Sequence, residues 1–220
     1  RYWGYAKPIS MLVHTSQRQE FHEIIAELIA TWINSSRIST LSSICKNVYE
    51  YEINRIPKET WLSQFKDYGV PSKNIKDYPS FDKILPYINT LIGKNMRHIK
   101  MNESGDLTYH DGLHLVIDNC SKSGIRNEDD HIRLAYPDPD SENYPSPAPA
   151  FIIVGGSTLS RGLTIEGLVS TYFLRASCQA DTLMQMGRWF GYRRGYELLP
   201  RIWMTQDTIN KFIFLSQLEI

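Results

Sequence analysis

Phe151-Ile152-Ile153-Val154, running into Gly155-Gly156-Ser157-Thr158-Leu159-Ser160-Arg161-Gly162, is the stretch that decides the fold. An unbroken apolar run of this length, closed by glycines, describes a strand covered on both faces, the mark of a parallel sheet. In open α/β sheets ligands gather at the carboxyl ends of such strands. The Gly-Ser segment leaves that end. Its glycines let backbone approach phosphate oxygens closely, and its hydroxyls and N–H groups are uncharged donors. A plain turn explains the composition equally well.

Working outward from this strand, alternation of strands and helices continues. Leu168 to Leu174 is a strand, Ala180 to Met186 a short helix, Ile202 to Thr205 a strand and Thr208 to Leu218 a closing helix. Upstream, His114 to Asp118 is a strand. Ile9 to His14 is another, followed by Gln17 to Asn34, where Phe21, Ile24, Ile25, Leu28, Ile29 and Trp32 recur at helical spacing. Ser16 is a natural cap for that helix. The pattern predicts an α/β domain with a mostly parallel sheet.

Residues 35–101 differ. Leu41 to Ile56, Lys58 to Tyr68 and Phe81 to Leu91 read as helices broken by Pro57, Pro71 and Pro79. The expected organisation is a sheet domain begun by residues 1–34, a largely helical insertion over 35–101, and the remainder of the sheet domain over 102–220. Pro137 to Pro149, rich in Pro, Asp and Ser, reads as an exposed loop.

Composition limits the functions available to 220 residues with 42% hydrophobic, 12% aromatic and 22% charged residues. A core of ordinary size is affordable, so global disorder is excluded. Lys plus Arg equals Asp plus Glu at 24 each, which excludes a wholly basic nucleic-acid binder. Local bias remains: Lys100 to Pro149 carries ten acids against four bases, and Arg161 to Arg201 six arginines against three acids. Cys45, Cys120 and Cys178 are odd in number and far apart, which fits a reducing compartment and a cytoplasmic location. No apolar run nears the ~20 residues of a membrane span. The chain opens at Arg1 and runs almost at once into a strand, so it reads as a piece of something longer.

Absences narrow the chemistry. No G-x-x-x-x-G-K-[ST] loop occurs, nor G-x-S-x-G, H-E-x-x-H, a paired-cysteine zinc pattern, or an acid followed two positions later by Lys. The second motif that stands out is Asp181-Thr182-Leu183-Met184-Gln185-Met186-Gly187-Arg188-Trp189-Phe190-Gly191-Tyr192-Arg193-Arg194-Gly195. Its arginines are planar, permanently charged and suited to phosphate oxygens. The bland alternative is a basic turn anchored by Trp189, Phe190 and Tyr192.

Together the two motifs resemble motifs V and VI of superfamily-two helicases: "SRGLT" at 160–164 and "QMGRWFGYR" at 185–193. They resemble more closely the Z-one domain family, whose members are described as endonucleases. "GGSTLSRGLTIEGL", "YFLR", "DTLMQMGRWFGYRRGYELL" and "RIWMT" follow in the family's order over residues 151–205. The residues depart from the general helicase pattern in three places. Gln185 stands two residues before Gly187 rather than three, Thr164 replaces an aspartate, and Arg193 follows Arg188 by five positions, so Arg193 or Arg194 fills the second-arginine place.

The resemblance implies the second RecA-like lobe of a two-lobed motor. ATP and magnesium would be held mainly by an N-terminal RecA-like lobe of the same protein. Arg188 and Arg193, with Gln185, would act at the γ-phosphate, and Gly162, Thr164, Gly187 and Gly191 would line the nucleotide. Ser157, Thr158, Ser160 and Arg161, with Thr15 and Ser16, would meet the DNA backbone. Nuclease and methyltransferase subunits of a bacterial restriction or defence system are the implied further partners, without a membrane. Two other readings stay open: a magnesium-dependent endonuclease built on Asp111, Asp118, Glu128, Asp129 and Asp130, and a non-catalytic docking lobe. No metal ligands are assigned.

Overall fold

The computed structural model describes residues 1–15, 18–118, 132–156, 165–174 and 195–218. Eight strands are described: β1 (Ile9–His14), β2 (Arg97–His98), β3 (Lys100–Met101), β4 (Leu107–Thr108), β5 (Leu113–Asp118), β6 (Ala150–Gly155), β7 (Leu168–Phe173) and β8 (Arg201–Met204). The helices are α1 (Gln19–Ser35), α2 (Ile38–Arg55), α3 (Lys58–Gln64), α4 (Phe81–Ile92) and α5 (Gln206–Leu218). Six strands form one sheet in the order β2-β5-β6-β1-β7-β8, and every pairing in it is parallel. The fold is α/β with a parallel, RecA-like core. β3 and β4 form a separate antiparallel hairpin.

All six residues of β6 are buried, as its unbroken apolar sequence requires of a strand covered on both faces. On one face Leu12, Val116, Phe151, Ile153 and Phe173 pack with Ile132 and with Phe212 and Leu215 of α5. On the other, Val13, Leu115, Ile117, Ile152 and Val154 meet Ile25, Ala26, Ile29 and Ile33 of α1. Small Ala26 and Ala30 let α1 lie close to the strands, so its isoleucines fill the space between. Each fully buried Leu, Ile or Phe here contributes roughly 1.5–3 kcal/mol.

Helix α1 starts later than its sequence suggests. Thr15 still belongs to the sheet ladder, its N–H donating to Gly155 O at 3.0 Å. Arg18 is the N-cap, with extended φ −82 and ψ 124 and no side-chain cap bond. Ser16 lies outside the described residues.

Between α1 and β2 the chain is helical, and Pro57 and Ser80, the latter behind Pro79, stand at the N-caps of α3 and α4. The two-residue strand β2, inside the 35–101 stretch, joins the edge of the main sheet. No helix among the described residues is long and apolar enough to cross a membrane.

Candidate functional site

One row of residues ends the sheet. Asp118 of β5 registers with Gly155 of β6, Gly155 with His14 of β1, His14 with Phe173 of β7, and Phe173 with Met204 of β8. In a parallel sheet, residues in register share a face. This row therefore presents a carboxylate, a glycine gap, an imidazole and an aromatic ring side by side at the carboxyl edge. With strands about 4.8 Å apart, the backbones of Asp118 and His14 are separated by roughly 10 Å, across Gly155.

The motif segments leave from the same edge. Residues 157–164 follow Gly156 at the end of β6, and 175–194 follow Leu174 at the end of β7. These two strands flank β1 directly, so the chain passing from β6 to β7 crosses over β1. The return from the first segment is pinned at three points. Ile165 is buried, Glu166 N–H donates to Tyr136 Oη at 3.0 Å, and Gly167 O accepts from Ser10 N at 2.9 Å. Tyr136 Oη also shares a hydrogen bond with Ser10 Oγ at 3.0 Å, and burial pushes its phenol well above the usual range.

His14 is fully buried and stacks on Phe173, with ring centroids 5.0 Å apart and planes 9° from parallel. Phe173 in turn meets Phe212 of α5 edge-on at 6.2 Å. The His14 carbonyl accepts from Leu174 N–H at 2.9 Å, so the last residues before the second motif segment remain tied to β1. Asp118, 2% exposed, takes Arg133 Nε at 3.3 Å.

Of the residues assigned from sequence to the nucleotide and the DNA backbone, Thr15 alone is described: it is buried, and its N–H donates to Gly155 O. Ser16, Ser157, Thr158, Ser160, Arg161, Gly162, Thr164, Gln185, Gly187, Arg188, Gly191 and Arg193 lie outside the described residues. Sequence reasoning passed over His14, Arg133 and Tyr136. A histidine closing an apolar strand was the available signal for the first; the other two come from a Pro-flanked stretch whose partners depend on register.

Of the carboxylates weighed for a nuclease, the two described ones, Asp111 and Asp118, do not converge. Asp111 pairs with Lys94 at 2.7 Å before the amino end of β5, whereas Asp118 closes the carboxyl end. β5, which runs between them, spans roughly 17 Å. Glu128, Asp129 and Asp130 lie outside the described residues, and among those described no three His, Cys, Asp or Glu side chains gather as metal ligands.

Compared with known families, residues 1–219 match the model described as Z1 domain, the Z-one family that the motifs resemble. No curated protein matches the chain, and no solved structure does.

Proposed function

The chain belongs to the Z1 domain family, and from that premise we propose that it is the second motor lobe of an ATP-dependent DNA translocase in a bacterial restriction or defence endonuclease. The observation that carries this reading is the common origin of the two motif segments. Both start at the carboxyl edge of the sheet, from the two strands flanking β1. A loop that holds the DNA backbone and an arginine segment that reaches a nucleotide would thus respond to one rigid edge.

In this reading Ser157, Thr158, Ser160 and Arg161 hold DNA phosphates, and Thr15 and Ser16 stand beside them at the end of β1. Gln185, Arg188 and Arg193 face a nucleotide held mainly by a second RecA-like lobe, with Gly162, Thr164, Gly187 and Gly191 allowing close approach. ATP with magnesium supplies the phosphoryl-transfer chemistry; this chain contributes cations that stabilise charge in the transition state. The protein would work in the cytoplasm, with nuclease and methyltransferase subunits as partners.

The test is DNA-stimulated ATP hydrolysis by the intact protein. Stimulation is expected, and Arg161→Ala and Ser160→Ala should weaken DNA binding, the former with a salt slope lower by about one per lost phosphate contact. Hydrolysis indifferent to DNA, together with unchanged DNA binding by both variants, overturns the proposal.

A further inference from the structure

A second concavity lies at the opposite, amino edge of the sheet, and Gly195, where the second motif ends, reaches its rim. It is a half-open cavity of about 620 Å³, within the roughly 300–1,000 Å³ typical of small-molecule sites. Its floor is the start of three strands, Ile9, Ala150 and Val169, and α4 supplies one wall through Ile84, Ile88 and Leu91. Residues 1–7 form the facing wall, with Tyr196 and Leu199 closing the side.

The walls are fixed before anything enters. Arg1 donates to Asp111 O at 3.0 Å and Ala148 O at 3.2 Å, and Tyr144 Oη donates to Ala6 O at 3.0 Å, which pins the first segment to the sheet domain. Tyr5 meets Tyr196 edge-on at 5.4 Å, and Tyr2 meets Tyr87 of α4 at 6.3 Å. A pre-formed apolar site avoids much of the ordering cost of binding.

Charge narrows the ligand. Among the described lining residues there are three cations, Arg1, Lys7 and Lys76, and no carboxylate. The Arg1 guanidinium is occupied with backbone carbonyls, leaving two exposed lysines in the lining, Lys7 and Lys76; Lys76 Nζ sits 5.3 Å above the Trp3 ring. A mainly apolar lining whose remaining cations are solvent-exposed fits a molecule of one polarity pattern. We infer that this cavity binds an amphiphilic monoanion, an aliphatic or aromatic tail bearing a carboxylate, with the tail against Ile88 and Val169 and the carboxylate at Lys7 and Lys76.

The experiment uses the intact protein, 1-anilinonaphthalene-8-sulfonate as reporter, and decanoate and decanol as competitors. Saturable one-to-one reporter binding is expected, with decanoate displacing it at lower concentration than decanol. Lys76→Gln should weaken decanoate about threefold while leaving decanol unchanged, and Lys76→Arg should restore the preference. Ile88→Trp, which fills the cavity, should abolish displacement while the thermal midpoint stays near that of wild type. Equal displacement by decanol and decanoate overturns the inference, as does wild-type binding by a folded Ile88→Trp. So does failure of the reporter to bind, which would mean another part of the protein fills the space. Because Lys76 is exposed, its variants decide the matter even if Ile88→Trp does not fold.

Discussion

Arg201, the first residue of β8, donates from Nε to the Glu52 carboxylate of α2 at 2.6 Å, joining residues 149 positions apart. The guanidinium is otherwise used up on Leu198 O at 2.8 Å, Pro200 O at 3.0 Å and Tyr78 Oη at 3.1 Å. Arg55 donates to both Glu52 oxygens, Nε to Oε1 at 2.9 Å and a terminal nitrogen to Oε2 at 2.7 Å, the oxygen that Arg201 also uses. Burial alone would raise the Glu52 carboxyl pKa; hydrogen bonds from Arg55 and Arg201 outweigh it and hold the group below its usual range. The helical stretch is thereby locked to the last strand of the sheet by one nearly buried carboxylate.

Glu52→Ala should therefore cost about 3–5 kcal/mol, because it leaves Arg201, 13% exposed, without its counter-charge. Arg55→Ala should cost far less, since its own side chain is 45% exposed. The pH dependence follows from the depressed carboxyl. Its contribution is complete above the unfolded-state pKa and disappears as pH falls through the folded value. Urea unfolding at pH 7 and pH 3 checks this: the gap between wild type and Glu52→Gln should shrink at the lower pH. A gap that does not change with pH would remove the charge from the explanation.

Gly167, at φ +58, stands where a β-carbon would overlap the Pro8 carbonyl oxygen. Backbone on both sides of the contact leaves no flexible side chain to yield. Left-handed backbone costs an ordinary residue roughly 1–2 kcal/mol before that overlap is counted. Gly167→Ala should lose more than about 2 kcal/mol, through displacement of the β7 entry where Ser10 N–H donates to Gly167 O. Denaturant midpoints measure it. A neutral Gly167→Ala would show that the turn relaxes freely.

Much of the sheet was legible because burial writes itself into sequence. Phe151 to Val154 could be little other than a two-sided strand, and Ile25 and Ile29 recur as a helix lying on that sheet must. The proline breaks at Pro57 and Pro79 also mark helix starts. β2 was invisible, since two residues carry no periodicity, and its place at the sheet edge is set by pairing with His114 and Leu115. The start of α1 was placed two residues early: Arg18, a residue with no capping side chain, stands extended at its N-cap, and nothing in its type announces that role. At the site, the motif arginines and serines stand out by type and order. The His14–Phe173 stack and the Tyr136 anchor do not, because each depends on which strands lie in register. Gly167 was quoted within a motif, yet only the approach of Pro8 says why a glycine is needed there.

His114 makes a pH prediction with a definite sign. His110 N–H donates to His114 Nε2 at 3.1 Å, so the proton of the neutral ring sits on Nδ1, facing Ala150 O at 3.2 Å. Protonating Nε2 would set donor against donor. Burial first, then His110, push this imidazole down to about 4 against the opposing hydrogen bond to the Ala150 carbonyl, with Arg97 and Arg1 adding smaller downward pushes. The unfolded chain takes up its proton near pH 6.5, so between pH 6.5 and 4 it binds more protons than the folded one. Stability must therefore be lost as the pH is lowered through that window, by up to roughly 3 kcal/mol. Denaturant titrations at pH 7, 5.5 and 4.5 should show the slope, reduced in His114→Gln. The same slope in that variant would assign it elsewhere.

Arg188 carries the decisive prediction for the proposed motor. An interaction formed mainly in the transition state appears in the rate constant rather than in ground-state affinity. Arg188→Ala in the intact protein should therefore lower ATP turnover on the order of 10³-fold, with nucleotide affinity changed far less. Arg193→Ala should act in the same direction. Arg188→Lys should fail to restore turnover, since an ammonium cannot reproduce a planar, two-pronged contact with phosphoryl oxygens. Trp189 and Phe190 adjoin this arginine, so a fall in turnover could instead follow from lost packing. Thermal midpoints and nucleotide binding measured beside the kinetics separate the two: packing loss lowers the midpoint and affinity together, whereas a transition-state contact lowers turnover alone. Wild-type turnover by a folded Arg188→Ala would leave the segment after β7 as a basic turn, and the motor reading would fall with it.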